Sequence, residues 1–150
     1  MKTLQLGGWF WFFSDEESKL EKDKCGKWMH FFKEDAQDFA VSICEKAIEE
    51  GACCECKCTD YEFMKNHNTN NHYDSGVICF YLNGDDKENH KRVIDFMLKY
   101  DLIRKTKTGR LYNDSFKFDS QTRAHEYGAD FQGKLKLEQF IDLNTGEWVE

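Results

Sequence analysis

The chain has 150 residues, 40% hydrophobic and 15% aromatic, which is enough for one domain with a real core, and residues 1–150 are expected to form a single domain. Its formal charge of −7 opposes nonspecific attraction to a polyphosphate backbone, so nucleic acid would have to be held by a local basic patch and not by the surface at large. No segment reaches the ~18 to 20 consecutive apolar residues of a membrane span, and the aromatic stretch 4–13 has no small-residue cleavage site before Ser14-Asp15-Glu16-Glu17, so it fails as a secretory signal.

In chain order, Leu4 to Phe13 reads as β-rich, and Gly26 to Phe32 as a strand. A helix is expected over 35–50. Asp35 would cap it, the pairs Phe39/Ala40, Ile43/Cys44 and Ala47/Ile48 form one buried stripe, and Gly51 supplies the stop. Ala52 to Thr59 follows as a strand, then the long polar connection Asp60 to Ser75. The apolar run Gly76 to Leu82 is a strand that turns at Asn83-Gly84. Asp85 and Asp86 then cap a second helix whose inner face is Val93, Ile94 and Met97 and which ends near Tyr100. Leu102 to Thr106 is expected as the next strand, and 110–118 and 134–143 as further β structure with a turn at Asn144-Thr145-Gly146. Strand, helix, strand, strand, helix, strand is the order of a ferredoxin-like split βαβ core, so the fold class is α+β, with two helices on an antiparallel sheet and extra strands at both ends.

Four of the seven cysteines fall in Cys53-Cys54-Glu55-Cys56-Lys57-Cys58. An odd number cannot all pair internally, and sequence neighbours such as Cys53 and Cys54 are badly placed to bridge each other, which favours a reduced, intracellular protein. Zinc takes four thiolate or imidazole ligands in a tetrahedron. Cys53-x2-Cys56, then ten residues, then His67-x4-His72 approaches the spacing of a two-cysteine, two-histidine module. Cys58 is the alternative ligand, able to replace Cys53 or a histidine. On a straight strand Cys54 and Cys58 would lie about 13 Å apart, too far for one ion. A zinc bound here would staple the 60–75 connection, which has no core of its own to fold around and is longer than structureless loops usually are. The sulfur-rich donors and the absence of an H-E-x-x-H or zinc-deaminase pattern make it a structural site and leave no catalytic residues to name. Cys25, Cys44 and Cys79 read as core residues.

Trp9-Phe10-Trp11-Phe12-Phe13 would show rings on both faces of a strand. One reading buries both faces within the domain; the other makes Trp9, Trp11 and Phe13 a partner-binding patch. The basic stretch Lys99 to Arg110 reads as a solvated hairpin with Gly109 at its turn. No phosphate loop, dinucleotide fingerprint or nucleophile elbow is present.

With its cysteine cluster, the segment Gly76-Val77-Ile78-Cys79-Phe80-Tyr81-Leu82-Asn83-Gly84-Asp85-Asp86 and the segment Leu102-Ile103-Arg104-Lys105-Thr106-Lys107-Thr108-Gly109-Arg110-Leu111-Tyr112-Asn113, the chain resembles small acidic phage and mobile-element proteins, in particular zinc-containing anti-CRISPR proteins of the type II-A class. The resemblance implies a noncatalytic inhibitor in the cytoplasm of a bacterial host cell. Its partner would be the CRISPR effector nuclease, whose positively charged channel attracts an acidic protein. No membrane and no sequence-specific contact with nucleic acid are implied. The competing expectations are a metal-dependent nucleic-acid-processing enzyme and a zinc-stabilised interaction module.

Overall fold

The structure is a computed structural model, and it describes residues 1–67, 75–120 and 135–149. It is of mixed α+β class. Its strands are β1 (Lys2–Leu6), β2 (Trp9–Phe13), β3 (Cys25–Phe32), β4 (Glu55–Thr59), β5 (Gly76–Asn83), β6 (Ser115–Phe118) and β7 (Leu135–Lys136), and its helices are α1 (Gln37–Glu49), α2 (Tyr61–His67) and α3 (Lys87–Lys99). The strands form a seven-stranded sheet in the order β1-β2-β4-β5-β3-β6-β7. Among the described residues no helix is long and apolar enough to cross a membrane. The chain groups into two compact units, 1–19 with 29–81, and 20–28 with 82 onward.

In the first unit, the β-rich segment at the start is a hairpin and not one strand. Leu6 pairs with Trp9, leaving Gly7 and Gly8 as a two-residue turn with φ of 63° and 91°. Positive φ at both central positions is what the right-handed strand twist demands of so short a connection, and glycine adopts it without strain. β2 then pairs antiparallel with β4, Phe10 opposite Cys58 and Phe12 opposite Cys56, and β4 pairs with β5, Cys56 opposite Phe80. The stripe Ala40, Ile43, Cys44, Ala47 and Ile48 of α1 is buried, whereas Phe39, expected on that stripe, is 47% exposed.

The start of α1 differs from expectation. Asp35 lies within a 3-10 turn, Glu34–Ala36, and the N-cap position is Ala36, which offers no side-chain acceptor. The helix end follows the sequence: Gly51 has φ of 75°, its N–H bonds to the Ile48 carbonyl at 3.1 Å, and Ala52 N–H bonds to the Ala47 carbonyl at 2.9 Å, the reciprocal pair of a Schellman end. The connection after β4, expected to lack structure of its own, begins with α2. Asp60 caps it by accepting from Phe63 N–H at 3.2 Å and is held in place by Gln5 Nε2 at 2.7 Å. Gln37 ties the start of α1 to the same joint, donating to the Thr59 carbonyl and accepting from Tyr61 N–H, both at 2.9 Å.

In the second unit, Asp86 caps α3 by accepting from Asn89 N–H at 3.1 Å, while Asp85 instead pairs with Lys24 at 3.0 Å. Val93, Ile94 and Met97 are buried as the sequence periodicity requires. Leu102 to Thr106 does not form a strand. Leu102 and Ile103 are buried, and the segment then turns back on itself, with Thr106 N–H bonded to the Arg110 carbonyl and Gly109 at φ of 88°. The strand after α3 is β6, which pairs with β3. Among the described residues of the expected β segment 134–143, only Leu135–Lys136 is a strand, followed by a 3-10 turn at Leu137–Gln139. The turn at 144–146 brings Ile141 opposite Trp148.

Candidate functional site

Two features of the first unit carry chemistry, and both follow from the two-residue alternation of β4. Successive residues of a strand face opposite sides of the sheet. Cys56 and Cys58 are fully buried on one side, and Glu55 and Lys57 stand half-buried on the other.

On the buried side the two strand cysteines meet α1. Cys56 Sγ donates to the Cys44 carbonyl at 3.5 Å. Cys53 is buried as well, at 5% exposure. Hydrogen-bonding contact with the Cys56 and Cys58 thiols favours the charged form of Cys44 and holds its thiol below the ordinary range, against the effect of burial. Burial, with the bonds to Cys44 and Cys53, pushes the Cys56 thiol up, and the bond to Cys44, with burial, raises Cys58. Cys54 points elsewhere, half-buried, with burial raising its thiol and Lys19 and Ser18 beside it.

Of the residues expected to bind zinc, the structure buries Cys53, Cys56 and Cys58, the last two on one face of β4. It does not bring His67 there. His67 ends α2, exposed, with Nδ1 bonded to the Phe63 carbonyl at 3.0 Å and its ring stacked 4.1 Å from that of Phe63. His72 lies outside the described residues. Among the described residues, no three His, Cys, Asp or Glu side chains converge as they stand around a point where an ion could sit. The donors nevertheless suit a soft or borderline metal, since buried thiols are what zinc prefers in closed structural sites. Cys44 is the member that sequence reasoning missed. It sat on the inner stripe of a helix, and only its placement against two cysteines of one strand face distinguishes it from a small apolar core residue.

On the opposite side of the sheet, Trp9, Trp11 and Phe13 share one face and are half-buried, while Phe12 is buried on the other. Trp11 stacks with Phe13 at 6.0 Å between centroids and with Tyr81 of β5 at 6.2 Å. Lys57 Nζ stands 3.7 Å from the centroid of Trp9 and 4.6 Å from that of Trp11. The basic residue missing from the aromatic run in sequence is thus supplied across the strand pair, by Trp11 lying opposite Lys57. Leu4 and Leu6, 48% and 64% exposed, lie opposite Trp11 and Trp9 and extend the apolar surface to the sheet edge. The aromatic residues of this face are of the type that protein interfaces favour at their centres.

No protein-family model and no curated protein matches the chain.

Proposed function

We propose that this chain is a noncatalytic inhibitor that binds a type II-A CRISPR effector nuclease in the bacterial cytoplasm and obstructs DNA loading or access, using the Trp9, Trp11 and Phe13 face. The observation that carries the binding role is that face. Its large rings lie half-buried around Lys57, and beside them Leu4 and Leu6 keep about half or more of their surface in water. Covering such rings and leucines yields most of the free energy available to a small interface. The choice of partner comes from the resemblance of the 76–86, 102–113 and cysteine-rich segments, and a net charge of −7 favours a basic nuclease surface.

A structural metal in the cysteine-rich segment is part of the same proposal. When bound it would tie the cysteine-rich segment to the 60–75 connection and supply no chemistry of its own. We also read β3-α1-β4 and β5-α3-β6 as the two halves of a ferredoxin-like split βαβ core, a reading supported by the neighbour order β4-β5-β3-β6.

A DNA-cleavage titration tests the function. Inhibition is expected to saturate near one inhibitor per nuclease, and Trp11→Ala is expected to raise the concentration needed by about tenfold or more, the effect of losing one interface anchor. Inhibition at strongly substoichiometric ratios would indicate an enzyme. If no nuclease of this class is inhibited at large excess, the inhibitor reading fails and a metal-stabilised interaction module remains.

A further inference from the structure

We propose that strand β1 and the groove beside it form a peptide-binding site, which takes an extended segment of a partner protein as an added strand and receives a lysine or arginine of that segment at Glu45. The inference adds a mode of engagement to the binding surface read above, and it does not depend on which protein is the partner.

β1 stands at the end of the strand order, and all five of its residues are exposed. Its neighbours fix the direction of its backbone groups. The Gly8 carbonyl accepts Asp60 N–H, and Ser14 N–H bonds to the Cys54 carbonyl, both at 2.9 Å, so Phe10 and Phe12, which share their alternation, also aim their peptide groups at β4. Trp9, Trp11 and Phe13 therefore aim theirs at β1, where they meet Leu6, Leu4 and Lys2. That leaves the N–H and C=O groups of Thr3 and Gln5 turned outward, away from the β1–β2 ladder. Nothing in the strand blunts this edge. Its pairing runs from Lys2 to Leu6 without a bulge, its one charge is Lys2 at the start, and the chain has no proline. An outward row of peptide groups is satisfied by another strand.

The groove specifies which strand. Residues opposite each other on paired strands share a face, so the side chains of Thr3 and Gln5 lie with those of Phe12 and Phe10. With Val41 and Glu45 of α1 they line a groove of about 350 Å³. Phe12 is buried and Phe10 half-buried, and Glu45 is half-buried with no ion-pair partner among the described residues. An incoming strand would send the side chains opposite Thr3 and Gln5 toward this groove and the one between them to the other face, beside Leu4 and Trp11. A long cationic side chain can lay its methylenes on the phenylalanines and bring its charge to the Glu45 carboxylate. A neutral side chain there would cover that carboxylate and leave it unpaired, which is costly. The segment that fits thus alternates basic with apolar residues, and the net charge of −7 draws such a segment in.

The test selects a display library of random peptides against the full chain and synthesises those retained. They are expected to alternate lysine or arginine with apolar residues, and Glu45→Gln is expected to weaken their binding about tenfold, the effect of losing one charge-assisted hydrogen bond. N-methylation of alternate peptide amides should abolish binding in one phase of the alternation and not in the other, as strand pairing requires. This change is made in the peptide and leaves the protein intact. Thr3→Pro removes an outward N–H and no ladder bond, so it should melt as wild type does and lose the peptides. Failure to retain any peptide, binding unchanged in both variants, or equal sensitivity to methylation in both phases would each overturn the proposal. A concentration-dependent dimer that Thr3→Pro abolishes, with no peptide retained, would assign the edge to a second copy of the chain and overturn it too. A chain that retains peptides and inhibits no nuclease keeps this inference and loses the inhibitor reading, whereas one that inhibits and retains no peptide does the reverse.

Discussion

His90 shows how much one residue's role depends on partners far away in the chain. Its Nδ1 accepts the indole N–H of Trp28 at 3.0 Å, and because that indole can only donate, Nε2 must carry the ring proton that it gives to the Gly84 carbonyl at 2.8 Å. Phe116 and Phe140 close over the ring, with centroids at 4.9 and 4.8 Å. Burial lowers the His90 pKa below its ordinary 6.5, and the Gly84 bond and the carboxylates of Asp86 and Asp85 only partly oppose this. The folded state therefore favours the neutral ring. Its contribution to stability is complete above pH 6.5 and is lost as pH falls below that value toward the folded pKa. Protonation would also set an Nδ1–H against the Trp28 N–H. Melting temperatures of wild type should hold between pH 8 and 7 and drop toward pH 5, and His90→Gln should show a shallower fall over the same window. Equal slopes in the two proteins would rule this out. The sequence conceals the arrangement, because His90 follows the polar run 85–89 and its indole partner lies 62 positions earlier.

At the scale of elements, legibility depended on whether the signal was local. Helix stops and hairpin turns need a particular backbone conformation at one residue, so Gly51, Gly109 and Gly146 mark them directly, each with positive φ. Helix starts are less local. An aspartate before a periodic stretch can cap it or stand one turn outside it, and tertiary packing decides. Asp86 accepts from Asn89 N–H and Asp35 does not cap α1. Asp86→Ala should cost about 1 kcal/mol, the usual value of a lost N-cap, while Asp35→Ala should stay within about 0.5 kcal/mol, as exposed changes away from such features do. Urea unfolding of both variants decides the matter, and equal losses would mean that α1 starts earlier than Gln37. The strand expected at Leu102 to Thr106 failed for a related reason. Leu102 and Ile103 are apolar because they are buried, which a short apolar run shares with a loop that dips into the core. The candidate site divides the same way. Cys53, Cys56 and Cys58 stand out by spacing, but Cys44 and Lys57 join their clusters only through helix-to-strand and strand-to-strand contacts.

In the proposed complex with a nuclease, charge and aromatic surface would make separable contributions to association. Twenty-eight acidic against twenty-one basic residues leave a net charge of −7, and this charge acts over distance, steering encounter with a basic surface and setting the association rate. Such steering is screened by salt, with a Debye length of about 8 Å at physiological ionic strength. The Trp9, Trp11 and Phe13 face acts only at contact, and loss of buried aromatic area shows chiefly in the dissociation rate. The two should therefore respond to different perturbations. If the proposal holds, raising salt from 50 to 500 mM should lower the rate at which this chain associates with the nuclease by about tenfold or more while changing dissociation little. Trp11→Ala should speed dissociation and leave the salt slope of association as it is in wild type. Surface-immobilised nuclease and timed binding curves measure both rates directly. If Trp11→Ala flattened the salt slope and left dissociation unchanged, the aromatic face would lie outside the contact, and the acidic surface alone would have to account for binding.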